Sequence, residues 1–326
     1  RQTKGWARDK KVFFAMKFSK PFKSYGHKKY DKVKYDGFYR RFKQDENFPE
    51  MAGKDIRAYF NFDTEENEKI NIKFALSSVS TSGALKNLNA EVPHWDFNKV
   101  KKETKAKWNN ELSKIEVTTL TKNDKINFYT ALYHTNLSPI LYEDVDGQYR
   151  GLDQNIHTSD GFTNYTIFSL WDTYRALHPL FNITQPERNN DMIKSMLAHH
   201  DESVHNMLPI WSHYANENWC MIGYHATSVI ADAMAKNVGD FDYELALQAS
   251  VNTANVRYFD GIGDYIDYKY VPDDKSHSSV SKKLEYYYND WCIAQMANQV
   301  KNTHVNEEFM NRSEYYTNVY DPKIGY

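Results

Sequence analysis

Residues 69–91 read Lys69-Ile70-Asn71-Ile72-Lys73-Phe74-Ala75-Leu76-Ser77-Ser78-Val79-Ser80-Thr81-Ser82-Gly83-Ala84-Leu85-Lys86-Asn87-Leu88-Asn89-Ala90-Glu91, and the hydrophobic period changes inside that stretch. Up to Leu76, apolar and polar residues alternate, as in a half-buried strand. From Ser82 the spacing is helical. Upstream, Lys11-Val12-Phe13-Phe14-Ala15-Met16-Lys17-Phe18 also alternates, and Arg57-Ala58-Tyr59-Phe60-Asn61-Phe62 is rich in aromatics. Strand runs separated by polar turns predict an antiparallel β-sandwich. The first sixty residues are basic, but their lysines lie beside this alternation and predict a solvated sheet face rather than an anion site.

Downstream, Pro93-His94-Trp95-Asp96-Phe97 leads into a charged helix through Trp108. Further helices are predicted over 123–137, 190–205, 224–237, 242–256, 281–300 and 305–319. The loops between them are long and rich in Trp, Glu, Asp, Arg, Gly and Tyr. Such a series predicts an α-helical toroid with its cleft at the loop end, or an irregular bundle, which spacing alone does not separate. The expected organisation is a partial β-sandwich over 1–82, linker helices over 83–122 and a partial helical domain over 123–326. The chain opens at Arg1 without Met and closes after Tyr320-Asp321-Pro322-Lys323-Ile324-Gly325, a turn leading onward. Both ends read as cuts in a longer protein.

Composition narrows the class. The 326 residues carry 41 Lys+Arg against 43 Asp+Glu, a net charge of −2, which argues against a nucleic-acid partner. No stretch reaches the ~18 apolar residues of a membrane span. Cys220 and Cys292 are the two cysteines, too few for a disulfide framework or a four-Cys metal site. The 25 Tyr, 18 Phe and 7 Trp are the distinguishing feature, since amphipathic rings serve either a large core or a surface that stacks on sugars.

Phosphate-binding, dinucleotide-binding, zincin and nucleophile-elbow motifs are absent from the sequence. His199, His200 and His205 fall on one predicted helix beside Asp201 and Glu202, where solvation is the expected state rather than metal binding. Asp144-Val145-Asp146-Gly147 lacks the remaining ligands of a calcium loop and predicts a tight turn.

Three segments crowd polar and aromatic residues at helix ends. Phe168-Ser169-Leu170-Trp171-Asp172-Thr173-Tyr174-Arg175-Ala176-Leu177-His178-Pro179 offers a stacking ring, a hydroxyl acceptor and a cation in Trp171, Asp172 and Arg175. The same residues could instead be a core anchor with a local ion pair. Asn216-Glu217-Asn218-Trp219-Cys220-Met221-Ile222-Gly223-Tyr224-His225 places Glu217 before an apolar helix start. There it is either a desolvated acid of raised pKa or a helix-terminal carboxylate of lowered pKa. His277-Ser278-Ser279-Val280-Ser281-Lys282-Lys283-Leu284-Glu285-Tyr286-Tyr287-Tyr288-Asn289-Asp290-Trp291-Cys292 has Ser281 as the expected N-cap. Glu285 and Asp290 are its candidates for a hard-cation or sugar site, with Glu285 otherwise a helix-face ion-pair partner.

In this order the three segments resemble family 92 glycoside hydrolases, with FYTALYHTNLSP, DGQYRG and ALKNLNAE as weaker matches. The resemblance spans essentially the whole chain. It implies a β-sandwich followed by an (α/α)6 barrel, with calcium-dependent, inverting removal of terminal α-linked mannose from glycans. It implies Glu217 as general acid and a base aspartate downstream of Tyr326. Trp171, Asp172, Arg175, His178, Trp219 and His277 are the expected substrate contacts, and Glu285 with Ser281 the expected calcium ligands. A secreted, periplasmic or cell-surface location follows from the same resemblance.

Two departures stand inside the motifs. An acidic residue usual before the Val-Ser of the third motif is Ser278 or Ser279 here, and the usual Asp-Asp-Trp reads Asn289-Asp290-Trp291. The first makes linkage preference an open matter. Two other readings remain: a mannan-binding protein without turnover, and another (α/α)6 sugar hydrolase that needs no calcium.

Overall fold

The structure, a computed structural model, describes residues 5–29 and 55–325. It is a small antiparallel β region followed by a helical domain, in the order the sequence predicts. In the β region, β1 (Phe13–Phe18) pairs with β4 (Ile72–Ser77), and β2 (Ser24–Lys29) pairs with β3 (Ile56–Asn61). The register sets Phe14 opposite Leu76 and Met16 opposite Phe74, so one face of the β1–β4 pair is apolar. The opposite face packs on helix α1 (Thr81–Glu91), which buries Ala84 and Leu88. Ser80 caps α1 by accepting the Gly83 N–H.

The strand lysines are solvated in part, Lys11 and Lys17 being exposed and Lys73 half-buried, but they do not make the open face. Lys17 and Lys73 lie on the helix-packed face, donating to Asn89 and to the Val92 carbonyl at the end of α1. A cation there meets the partial negative charge of the helix terminus. The face open to water carries Phe14, Met16, Ile72, Phe74 and Leu76 instead. Positions 30–54 of the basic segment lie outside the described residues.

Asp144 ties this region to the helical domain. Its buried carboxylate accepts from the Ser77 hydroxyl at 2.7 Å and from the Asn87 amide at 2.8 Å. The turn expected at 144–147 is present, closed by the Gly147 N–H on the Asp144 carbonyl at 2.8 Å. Gly83 is required for this approach, because a Cβ there would stand 2.1 Å from Asp144 Oδ2.

The helical domain begins with α2 (Phe97–Leu112) and α3 (Lys122–Thr135), then four short strands: β5 (Ile140–Leu141), β6 (Gln148–Arg150), β7 (Ile156–Thr158) and β8 (Tyr165–Thr166). These pair β5 with β8 and β6 with β7. Helices come next as α4 (Leu170–Thr173), α5 (Leu177–Thr184), α6 (Pro186–Glu202), α7 (Ala226–Ala235), α8 (Tyr243–Ala254), α9 (Ile262–Tyr268), α10 (Ser279–Gln299) and α11 (Thr303–Ser313). The short helices α4, α5 and α9 fall where loops are expected. Pro179 is accommodated in the first turn of α5, where its missing N–H has no intrahelical partner to lose. Helix α10 starts at Ser279 with Ser278 as its N-cap, in a left-handed conformation, so Ser281 is a residue of the helix and not its cap.

Helix α10 packs on α7, α8 and α11 and carries the buried core of the domain. Inside that core Asp290 is fully buried against Arg312 Nε at 2.9 Å. Tyr224 and Tyr265 donate their hydroxyls to its two oxygens, and Arg312 also reaches the Ala254 carbonyl and Asn255.

Both buried carboxylates lead to stability predictions. Arg312→Met strands the Asp290 charge, and such losses cost about 3–5 kcal/mol. Urea unfolding should show a midpoint lowered accordingly, with part restored when Asp290→Asn is added. Gly83→Ala should lower stability by roughly 1–3 kcal/mol by displacing Asp144 from its partners. A Gly83→Ala protein as stable as the parent would show that α1 can slide away from the turn.

Candidate active site

The loop between α6 and α7 builds the first part of the site. Residues 211–218 form a tight reversal, with a bridge between Ser212 and Glu217 and mutual backbone bonds between His213 and Asn216. Tyr214, Ala215, Trp219 and Met221 all hold left-handed φ, a concentration of backbone strain that marks functional loops. The reversal folds the Glu217 side chain back on its own loop. Its Oε1 accepts the N–H groups of Trp211, Asn218 and Trp219, and its Oε2 that of Ile210, all at 2.8–2.9 Å.

Glu217 is thus not a helix-terminal carboxylate, since α7 starts only at Ala226. Its side chain is 4% exposed, and burial raises its pKa above the ordinary glutamate value against the pull of the four amides. A cleft of about 550 Å³ opens beside it. Trp6, Arg8 and Asp9 form one wall, and Asn216, Glu217, Asn218 and Trp219 the other. The early segment is pinned there by the backbone N–H groups of Ala7 and Asp9, which donate to the side-chain oxygens of Asn218 and Asn216.

The second part gathers on Glu285 of α10. His225 Nε2 stands 2.9 Å from Glu285 Oε2, the Trp171 indole N–H donates to Oε1 at 3.2 Å, and Arg175 reaches Oε1 at 3.4 Å. Tyr174 stacks on His225 with ring centroids 3.9 Å apart, and the Arg175 guanidinium lies over the Trp171 and Tyr174 rings. Burial would raise the Glu285 pKa, but the imidazole, the guanidinium and the indole outweigh it and hold the group below the ordinary value. Burial lowers the His225 pKa. Asn289 holds this histidine from behind, its amide 3.0 Å from Nδ1, while its carbonyl accepts the Tyr224 N–H. Gly223 permits the approach: at φ 80°, any Cβ would meet His225 Nε2 at 2.5 Å.

The structure therefore joins Trp171 and Arg175 to Glu285, and places Glu217 with Trp219 in the cleft. Trp171, Asp172 and Arg175 do not line the cleft that holds Glu217. Asp172 is exposed and does not pair with Arg175, whose carboxylate partner is Glu285. His277 is exposed in the turn before α10. His178 lies in the core with Nδ1 2.7 Å from Asn189, its pKa lowered by burial to about 4.

Asp290 is committed to Arg312 in the core and is no candidate for a cation or sugar contact. His199 and His200 are buried, against the solvated state expected of them. Tyr174, His225 and Asn289 complete the Glu285 cluster, and all three stand in the quoted motifs. Their sequence signal is adjacency to Arg175, Tyr224 and Asp290 and nothing more.

Glu285 and Ser281 do not fit a calcium site as they stand. Calcium takes six to eight oxygens, whereas Glu285 faces N–H donors and a guanidinium. Ser281 is exposed one turn earlier on α10, and no group of three acidic, His or Cys side chains converges among the described residues.

A family model for the glycosyl hydrolase family 92 catalytic domain matches residues 83–326, and one for the family's N-terminal domain matches residues 1–77. The chain belongs to glycosyl hydrolase family 92. Among solved family 92 members, an α-mannosidase from Bacteroides thetaiotaomicron is 46% identical, with a TM-score of 0.91 over 99% of this chain and 43% of that one. It has also been solved with mannoimidazole. A family 92 inverting mannosidase from the same species is 29% identical, with a TM-score of 0.85 over 96% of this chain and 42% of that one. A curated relative from Arthroderma benhamiae, named an uncharacterized secreted glycosidase, is 25% identical over 80% of this chain and 32% of its own length. The chain thus spans less than half the length of these relatives.

In this cluster, Glu285 is the shared acceptor for an indole, a guanidinium and an imidazole. Glu285→Ala should lower the unfolding free energy by about 1–2 kcal/mol, less than loss of Arg312, because the half-exposed Arg175 regains water. Thermal unfolding of the two variants side by side checks the order; a larger loss at Glu285 would reverse it.

Proposed function

We propose that the protein is an exo-acting α-mannosidase that removes terminal α-linked mannose with inversion, using Glu217 as general acid. The Glu217 carboxyl carries the reading: a buried acid of raised pKa in a cleft wall, in a chain whose solved relatives are named mannosidases. A general acid must hold its proton at working pH and then release it. Burial serves the first need, and the four amides around the carboxylate serve the second by receiving the anion.

In the proposed step the Glu217 O–H bond breaks as an O–H bond forms on the glycosidic oxygen. That oxygen leaves with the electron pair of the bond to the anomeric carbon. Water adds from the opposite face and gives its proton to a second carboxylate, about 6.5–9.5 Å from the acid in inverting enzymes. No residue of this chain is assigned that second role.

The Glu285 cluster suits sugar recognition, with ring faces in Trp171 and Tyr174, a cation in Arg175 and a carboxylate acceptor. Calcium dependence is proposed for the whole enzyme on the family resemblance, with ligands other than Glu285 and Ser281. Export from the cytoplasm is proposed on the same resemblance and on the relative from Arthroderma benhamiae, which is named a secreted glycosidase. No described helix is long and apolar enough to cross a membrane.

The test uses the full-length enzyme on mannosides of graded leaving-group ability. Glu217→Gln should lower turnover by about 10²–10⁴-fold with poor leaving groups and far less with activated ones. In the parent, activity should fall as pH rises through the Glu217 pKa, because the deprotonated acid has no proton to give. A chelator should abolish activity and added calcium restore it. A Glu217→Gln enzyme with parent activity on poor leaving groups would end the assignment.

A further inference from the structure

The amides around Glu217 are unevenly shared between its two oxygens. Oε1 takes three backbone N–H groups, more than its two lone pairs can serve individually, whereas Oε2 takes only that of Ile210. A proton on this carboxyl therefore belongs on Oε2. The side chain facing Oε2 is His199 of α6, with Nε2 3.7 Å away.

His199 is itself tethered, its Nδ1 3.2 Å from the Ser212 hydroxyl. Ser212 is the residue bridged to Glu217 across the loop reversal, so acid, tether and imidazole move as one unit. We propose that His199 is a positioning residue for the acid: in the free enzyme its neutral imidazole accepts the Oε2–H of protonated Glu217 while Nδ1–H is held by Ser212, and the bond to the imidazole breaks as that proton passes to the glycosidic oxygen. This rests on the reading of Glu217 as general acid.

The surroundings keep the imidazole neutral. Burial, with His200 adding to it, pushes the His199 pKa down to about 3. A cavity of about 30 Å³ lies along His199 and Ser212, with Arg150, Glu202, Tyr142, Tyr149 and Tyr165 in its walls. Of these charged groups, Glu202 is occupied by the Tyr149 hydroxyl and the Leu152 N–H, and Arg150 by the carbonyls of Ser78 and Gln154. Arg8 and Asp9 face Glu217 from the cleft. The 3.7 Å separation closes to a hydrogen bond with a shift of under an ångström, within the looseness common to catalytic hydrogen bonds in free enzymes.

An acceptor for the neutral acid raises its pKa. Replacing His199 by an apolar side chain should therefore move the basic limb of the kcat/KM profile of the full-length enzyme to lower pH, by about one unit for one hydrogen bond. His199→Leu should show this shift, and His199→Gln, which keeps an acceptor, should stay close to the parent. Ser212→Ala loosens the tether and should shift the limb in the same direction by less, and it carries the test if the His199→Leu protein does not fold.

Glu217→Gln is run alongside. If it retains parent activity on poor leaving groups, the acid assignment fails and this proposal with it. If it behaves as an acid variant while the limb stays fixed in His199→Leu and Ser212→Ala, only the His199 role is overturned. A uniform loss at every pH, equal in His199→Leu and His199→Gln, also overturns it and makes His199 a packing residue.

Discussion

A charge taken out of water must be answered where it lies, and in this protein that charge is Asp290. Arg312 answers it from α11, Tyr224 from the loop before α7 and Tyr265 from α9. Arg312 in turn directs its remaining donors to the end of α8. Four separate stretches of chain are thus fixed in direction relative to α10 by one carboxylate. Hydrophobic burial holds these helices together but does not choose among sliding registers; the ion pair and its hydroxyls do, because each has one geometry that satisfies it.

The site inherits its geometry from that anchor. Asn289 is the neighbour of Asp290 and holds the Tyr224 N–H and the His225 ring, so the loop end is fastened to α10 at consecutive residues. Glu285 lies five residues earlier on the same helix and collects Trp171, Tyr174 and Arg175. From Tyr224 the loop runs back through the left-handed Gly223, Met221 and Trp219 to Glu217. Glu217 therefore hangs from a loop fastened to the core at one end and to the α6 side, through Ser212 and His199, at the other.

The β region is held differently. Its β1–β4 pair has one face on α1 and the other, with Phe14, Phe74 and Leu76, open to water. Asp144 is the device that fastens it, joining β4, α1 and the 144–147 turn through Ser77 and Asn87. An apolar face of that kind is the ordinary mark of a surface meant to be covered.

Order along the chain was legible in residues alone. The change of period between Leu76 and Ser82 separated strand from helix because side-chain spacing is a local property of the backbone. The long helices followed for the same reason, with α6 starting early at Pro186, which suits a first helical position. The motifs named Trp171, Arg175, Glu217 and Glu285 because each puts a polar group beside aromatic residues. Tertiary structure alone decided which of these meet. Sequence distance carries no record that Trp171 lies against Glu285, or that His199 faces Glu217 from α6. It also decided burial: His178 is expected at the substrate and His199 in solvent, yet one lies in the core and the other beside Glu217, since the environment that sets a pKa comes from residues far along the chain.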